Sequence, residues 1–216
     1  MFLLNEKIFF PPLEMTDPDG LLAIGGDLST ERLLLAYRSG IFPWYNEETE
    51  PICWWSPDPR FVLFPAELKV SKSMQAILKN GPFRFTVNQA FEKVIQNCKT
   101  IARKGQDGTW ISADLQKAFI RLHKLGHAHS AETWLDDKLV GGLYGIRMGA
   151  LFFGESMFSS VQNASKFAFI HYVQQLQKEN VQLIDCQVYT THLESLGARM
   201  IIREEFRKLL TTSCWL

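Results

Sequence analysis

The stretch from residue 130 to residue 188 admits few folds. Residues 130–135 and 138–146 have the rhythm of two strands, and Asp136-Asp137 between them makes a hairpin turn. Residues 150–158 form a third strand, led by the apolar run Leu151-Phe152-Phe153. A helix over 164–179 follows. Its first half is apolar on most sides, with Phe167, Ala168, Phe169 and Ile170, so it belongs buried between layers. Residues 182–188 return as a strand. A short helix over 192–196 ended by Gly197, a strand over 199–203 and an amphipathic helix close the chain. Three antiparallel strands, then helix, strand, helix and strand, make an α+β order.

Two acids sit inside these apolar strands. Glu155 lies between Gly154 and Ser156-Met157-Phe158. A carboxylate there is costly unless something pairs with it. Either it occupies the open face of an edge strand, or it stands among apolar walls that bind a side chain. The second acid is Asp185, in Leu183-Ile184-Asp185-Cys186-Gln187-Val188. Strand period two puts Asp185 and Gln187 on one face and Ile184, Cys186 and Val188 on the other. A polar loop after the third strand leads into the long helix, which Asn163 or Ser165 can cap.

Upstream, residues 1–20 are proline-rich and irregular. Ser29 caps a helix running to Ser39 with Leu33, Leu34 and Tyr37 on one face, and Gly40 before Ile41 gives it a Schellman-type ending. Aromatics and prolines then crowd into 41–45 and 53–60. Trp44, Trp54 and Trp55 are either core or a platform on which a base can stack. A strand over 61–64 meets Pro65, and a small N-terminal domain, 1–62, is expected to give way to a larger one, 63–216. A helix over 71–79 with Lys72 and Lys79 is either a solvated face or a modest phosphate patch. A strand over 83–87 leads to Asn88, expected to cap a helix with Phe91, Val94, Ile95 and Cys98 inward. Ser112 caps the next, with Leu115, Phe119, Leu122 and Leu125 as its stripe.

Lys plus Arg equals Asp plus Glu, 23 each. A protein living on broad phosphate contacts needs a basic face, so that class is disfavoured while a local patch remains open. Cys53, Cys98, Cys186 and Cys214 have no Cys-x-x-Cys spacing, and the first residues are too soon acidic for a secretory leader. No apolar run reaches the length that spans a bilayer. The expectation is a cytoplasmic protein with reduced thiols and no membrane partner. His127 and His129 have a His-x-His spacing near His123, but at a helix end and a strand start the polar-surface reading prevails and no metal is expected. Cys186 should face away from Asp185 and Gln187, which argues against a thiol nucleophile.

Several segments together carry a resemblance. Gly-Glu-Ser-Met-Phe-Ser at 154–159, Asn-Ala-Ser-Lys at 163–166, Leu-Ile-Asp-Cys-Gln-Val at 183–188 and Ser-Leu-Gly-Ala at 195–198 are four of them. Upstream stand Gly-Leu-Leu-Ala-Ile-Gly-Gly-Asp-Leu-Ser at 20–29, Gly-Ile-Phe-Pro-Trp at 40–44, Trp-Trp-Ser-Pro-Asp-Pro-Arg at 54–60, Gly-Thr-Trp-Ile at 108–111 and Leu-His-Lys-Leu-Gly-His-Ala-His-Ser at 122–130. In this order they resemble the leucyl/phenylalanyl-tRNA–protein transferases over nearly the whole chain. The α+β order likewise resembles the fold of the GCN5-related N-acetyltransferases (GNAT-like), in which the third strand and the strand after the helix splay apart.

The resemblance implies an aminoacyltransferase that moves Leu or Phe, with Met as a further candidate, from the 3′ end of an aminoacyl-tRNA to proteins with N-terminal Arg or Lys, marking them for N-degron proteolysis. It implies Asp185 and Gln187 as the catalytic pair. Gln187 hydrogen-bonds the attacking amine, oriented or polarised by Asp185, and Glu155 holds the incoming cationic group. Leu143, Phe152, Met157, Phe169 and Ile184 would wall the pocket for the donor side chain, and Trp44 and Trp110 would contact the terminal adenosine. The ester stores the driving force, so no cofactor is needed, and a monomer suffices. A CoA-dependent acetyltransferase would need a glycine-rich loop after the third strand, and Ser159-Ser160-Val161-Gln162-Asn163-Ala164 has no glycine. A noncatalytic binder of RNA 3′ ends would need the tryptophans but not Asp185, Gln187 or Glu155.

Overall fold

The computed structural model describes residues 2–45, 51–101 and 111–213. Strands β1 (Phe2–Leu4), β2 (Leu21–Gly25), β3 (Phe42–Pro43) and β4 (Cys53–Trp55) form a four-stranded sheet in the order β1-β2-β4-β3. Helix α1 (Thr30–Arg38) crosses between β2 and β3. Its start is fixed by Ser29, whose side chain accepts from the Arg32 N–H. Its end is the expected Schellman turn: the Gly40 N–H donates to the Tyr37 carbonyl, and the Ile41 N–H to that of Ala36. Gly40 sits at φ +75°, where a side chain would be strained.

The rest is α+β, as the element order implied. β5 (Arg60–Leu63), α2 (Lys72–Asn80), β6 (Arg84–Val87), α3 (Phe91–Thr100) and α4 (Ala113–Lys124) come first. The hairpin and third strand follow as β7 (Ala128–Leu135), β8 (Lys138–Met148) and β9 (Leu151–Ser159). Then come α5 (Ala164–Lys178), β10 (Leu183–Gln187), α6 (Thr191–Glu194), β11 (Arg199–Ile201) and α7 (Arg203–Ser213). Seven strands make one sheet, β11-β5-β10-β9-β8-β7-β6. All its neighbours are antiparallel except β9 and β10, which α5 connects as a crossover. The β7–β8 turn has Asp136 and Asp137 at φ 47° and 60°, the left-handed pair that a tight hairpin requires.

Successive residues of the central strands enter opposite cores. Tyr144, Phe153, Leu183 and Val62 pack with α3, α4 and the N-terminal strands, while Leu143, Phe152, Ile184, Phe61 and Leu63 pack against α5. The sheet is therefore covered on both faces, and α5 is buried as its composition demanded. The expected division at residue 62 falls within β5, and the apolar core on the α3–α4 face runs across it.

Some local expectations fail for identifiable reasons. Asn88 does not cap α3. It lies at φ 59°, and its Oδ1 accepts from the Ser130 N–H, so it ties β6 to β7, while Glu132 Oε1 accepts from the Ala90 N–H. Neither Asn163 nor Ser165 caps α5 through its side chain. Ser159, from the end of β9, accepts the Ser165 N–H at 3.1 Å. Leu125 lies past the last turn of α4 and is exposed. The strand expected over 199–203 stops at Ile201, and Arg203 begins α7. No described helix is long and apolar enough to cross a membrane.

Candidate active site

β9 and β10 pair through Leu151↔Leu183, Phe152↔Ile184 and Phe153↔Asp185, and then part. The splay expected of the GNAT-like fold is thus present. Both strands carry a bulge where they separate. Tyr144 faces Ser156 while Gly145 faces Gly154, so Glu155 is the extra residue of β9 against β8. Asp185 faces Val62 while Gln187 faces Phe61, so Cys186 is the extra residue of β10 against β5. A bulge re-aims the side chains beside it, which a regular strand of period two cannot do. Gly145 makes the first bulge possible, because a methyl group there would collide with the carbonyl oxygen of Phe153.

Gln187 has φ 63°, a conformation that costs a residue with a side chain about 1–3 kcal/mol. Two hydrogen bonds hold it there. Its backbone N–H donates to Asp185 Oδ1 at 2.9 Å, and its side-chain Nε2 donates to Glu155 Oε1 at 2.8 Å. The two polar groups expected across a cleft are therefore in direct contact.

Asp185 is fully buried and has a partner that sequence reasoning missed. Arg60 Nε and Nη2 donate to its Oδ1 and Oδ2 at 2.8 and 2.7 Å. Arg60 Nη1 donates to the Gly40 carbonyl at 3.1 Å, and the guanidinium lies 4.7 Å from the Phe42 ring centre and 4.8 Å from that of Phe206. The planar fork and aromatic faces suit arginine and would not suit lysine. Both Asp185 oxygens are thereby occupied, and the carboxylate reaches Gln187 through its backbone alone. The available signal was a lone arginine ending an aromatic, proline-rich run, matched by a lone aspartate in an apolar strand.

Glu155 is 8% exposed, and burial raises its pKa to about 8. That value is the net outcome: the charge of Asp185 adds to the rise from burial, while Tyr37, Gln187 and Arg60 oppose it. Its Oε2 is buried without a hydrogen-bond partner among the described residues. Beside the carboxyl lies Tyr37 of α1, also fully buried, whose hydroxyl has no partner of hydrogen-bonding geometry. Burial first, then the charge of Glu155, pushes the Tyr37 pKa well up. An orphaned buried hydroxyl costs about 1–3 kcal/mol.

A cavity of about 830 Å³ opens at this point, in the size range of small-molecule sites. Leu143, Phe152, Met157, Phe169 and Ile184 all line it, together with Trp44, Glu155, Asp185 and Gln187. His192 and Leu193 of α6 also face it and were not anticipated. Trp110 lies outside the described residues. The tryptophans divide. Trp54 is fully buried and donates to the Gly25 carbonyl, whereas Trp44 is 42% exposed and tilted against Trp55 with ring centres 5.8 Å apart. Of Trp44 and Trp54, Trp44 is the one whose ring is open to stack on a ligand.

The other chemistries find no support here. His123 stacks on Phe91 at 4.2 Å and bonds the Ala128 carbonyl, and His129 Nδ1 meets Asn88. No group of three or more potential metal ligands occurs among the described residues. Burial pushes the Cys186 thiol far up, away from the thiolate a nucleophile needs.

Residues 62–211 match the family model described as leucyl/phenylalanyl-tRNA protein transferase, and residues 26–58 match that of its N-terminal domain. A leucyl/phenylalanyl-tRNA–protein transferase of Flavobacterium johnsoniae is 59% identical over 210 residues, covering 97% of this chain and 99% of the relative. One from Christiangramia forsetii is 55% identical over 212 residues, 97% and 100% of the two chains. Another, from Syntrophobacter fumaroxidans, is 55% identical over 210 residues, 97% and 89%.

Proposed function

The chain belongs to the leucyl/phenylalanyl-tRNA–protein transferase family, and on that premise we propose that it joins Leu or Phe, with Met as a further donor, from aminoacyl-tRNA to the α-amino group of proteins beginning with Arg or Lys. The new terminal residue then marks the protein for N-degron proteolysis. The observation that carries this reading is the Gln187–Glu155 contact at the mouth of a large apolar cavity.

The donor side chain enters between Leu143, Phe152, Met157, Phe169 and Ile184. The flexible Met157 thioether adapts to either a branched or an aromatic group. Such walls discriminate by only about 1–3 kcal/mol per methylene, which fits a tolerance for several apolar residues that are not branched at Cβ. Trp44 stacks on the terminal adenosine, and Trp110 joins it. The acceptor ammonium approaches Glu155, where charge-assisted hydrogen bonds are strongest. Gln187 turns its NH₂ to Glu155 Oε1, which accepts from it, and so presents its carbonyl oxygen to the amine. Asp185, fixed by Arg60, orients Gln187 through the backbone. Alignment of amine and ester then supplies most of the rate.

We take residues 1–62 as a small domain that brings Trp44 to the site and 63–216 as the catalytic domain. One chain carries every group named, so a monomer suffices.

The test uses radiolabelled Leu-tRNA, a peptide with N-terminal Arg and no CoA or ATP, with an N-terminal Ala peptide as control. Label on the Arg peptide alone is expected. No label from the folded protein, with Phe-tRNA and Met-tRNA also failing, would sink the transferase reading and leave a binder of RNA ends. In that case Asp185→Ala would spare binding, whereas under the present reading it abolishes transfer.

A further inference from the structure

Among the described residues, Glu155 Oε2, the Tyr37 hydroxyl and His192 Nε2 are buried at or beside the site without a partner of hydrogen-bonding geometry, and the first two lie side by side. Such orphans are rare in folded proteins and ask for a reason. Phenylalanine at 37 would fill the same space against Phe153, whose ring centre is 5.3 Å away, without burying a hydroxyl. Tyr37 is fully buried and is not among the residues that line the cavity, whereas Glu155 is. The hydroxyl therefore reaches substrate only through that carboxyl.

Resting on the transferase reading above, we propose that Tyr37 is a positioning residue of the reaction, whose hydroxyl holds the inner side of Glu155 so that Glu155 takes one proton from the acceptor's α-ammonium. The bonds balance as follows. The ammonium gives one proton to the Glu155 carboxylate and becomes the free amine. Its lone pair attacks the ester carbonyl, the C–N bond forms, and the C–O bond to the ribose breaks. A second proton from nitrogen goes to the departing ribose oxygen, and the third stays as the amide N–H. Glu155 then releases its proton to solvent.

The groups facing Glu155 fit this assignment. From β10 come the charge of Asp185, which raises its proton affinity, and the Gln187 amide, which lowers it; from β5 comes Arg60, which also lowers it. Tyr37 from α1, whose hydroxyl lies beside the carboxyl, lowers it, and Tyr144 from β8 is the other hydroxyl that acts on Tyr37. Burial outweighs the downward effects and leaves the carboxyl titrating at about 8, close to the range where a free α-amine exchanges its proton. Without the Tyr37 donor the carboxylate form would be scarcer still at neutral pH.

Two readouts test this, one of which needs no activity. Infrared titration of the full chain should show a protonated carboxyl band fading near pH 8, absent in Glu155→Gln and displaced to higher pH in Tyr37→Phe. In the transfer assay, Tyr37→Phe should be roughly tenfold slower at neutral pH per unit of displacement, recovering toward the wild-type rate as pH rises. At a pH high enough to ionise Glu155 in both proteins, the acceptor KM should agree within about twofold, since Tyr37 touches no substrate. An unmoved band, or a loss equal at every pH, overturns the proposal. A wild-type protein that transfers nothing yet shows the displaced band retires the transferase reading and leaves the Tyr37–Glu155 coupling standing. If Tyr37→Phe does not fold, fluorotyrosine incorporation replaces it. A more acidic hydroxyl should move the Glu155 band to lower pH, and an unchanged band overturns the proposal.

Discussion

Arg60 shows how one side chain can decide what another does. Its guanidinium closes on both Asp185 oxygens, is 1% exposed, and sits between two phenylalanine rings. Removing one partner of a buried ion pair strands the other charge, at about 3–5 kcal/mol, while replacing both with apolar groups is often near neutral. Arg60→Met should therefore lower stability by about 3–5 kcal/mol in urea unfolding. The double variant Arg60→Met with Asp185→Leu should regain most of that loss but not the transfer activity, since the Gln187 N–H loses its acceptor. A double variant that also regains activity would show that the Asp185–Gln187 bond is dispensable. Asp185 was legible in the sequence as a residue needing a partner. Its partner was not, because 125 residues separate the two and no periodicity links them.

At the scale of elements, the bulges matter more than the strands. Hydrophobic alternation located β7 to β10 and even the Asp136-Asp137 turn, because local spacing reflects which face is buried. It could not locate the extra residues at Glu155 and Cys186, because a bulge is defined against the neighbouring strand. Buried Gly145 is the position at which this geometry can be tested. Gly145→Ala places a methyl group against the Phe153 carbonyl and must shift β8 from β9 beside Glu155. The expected result is a loss of about 1–3 kcal/mol, typical of overpacking, together with a fall in kcat larger than any change in KM. Full activity in a variant whose thermal unfolding is clearly lowered would mean that the bulge geometry tolerates the shift. The caps teach the same point: Ser29, Ser71 and Ser112 cap their own helices, but α5 is capped from across the loop by Ser159.

For the whole molecule, Glu155 links the site to stability. Its ordinary pKa is 4.5, and the fold raises it to about 8, so between these values the folded chain holds a proton that the unfolded chain has lost. Stability contributed by this group is present below about pH 4.5 and is lost as pH rises through about 8, at roughly 1.4 kcal/mol per unit while the window lasts. Half-buried His129, His171 and His192, whose proton affinities burial lowers, act oppositely below the usual histidine range. Glu155→Gln isolates the effect. The difference between wild-type and variant urea midpoints should shrink as pH falls from 8 to 5, and a difference that stays constant with pH would mean that Glu155 is not the group concerned.

The sequence by itself determined the α+β order, the burial of α5 and the family, and through the resemblance to that family it named side chains that line one cavity. The order and the burial follow from short-range spacing, and the family from motifs that each span a few residues. Tertiary structure alone decided that Arg60 holds Asp185, that Gln187 turns to Glu155, and that Tyr37 from the N-terminal segment stands behind that carboxyl. Each joins residues on different strands or helices, and a buried polar group's partner is fixed by where the fold brings a donor, not by its neighbours in the chain.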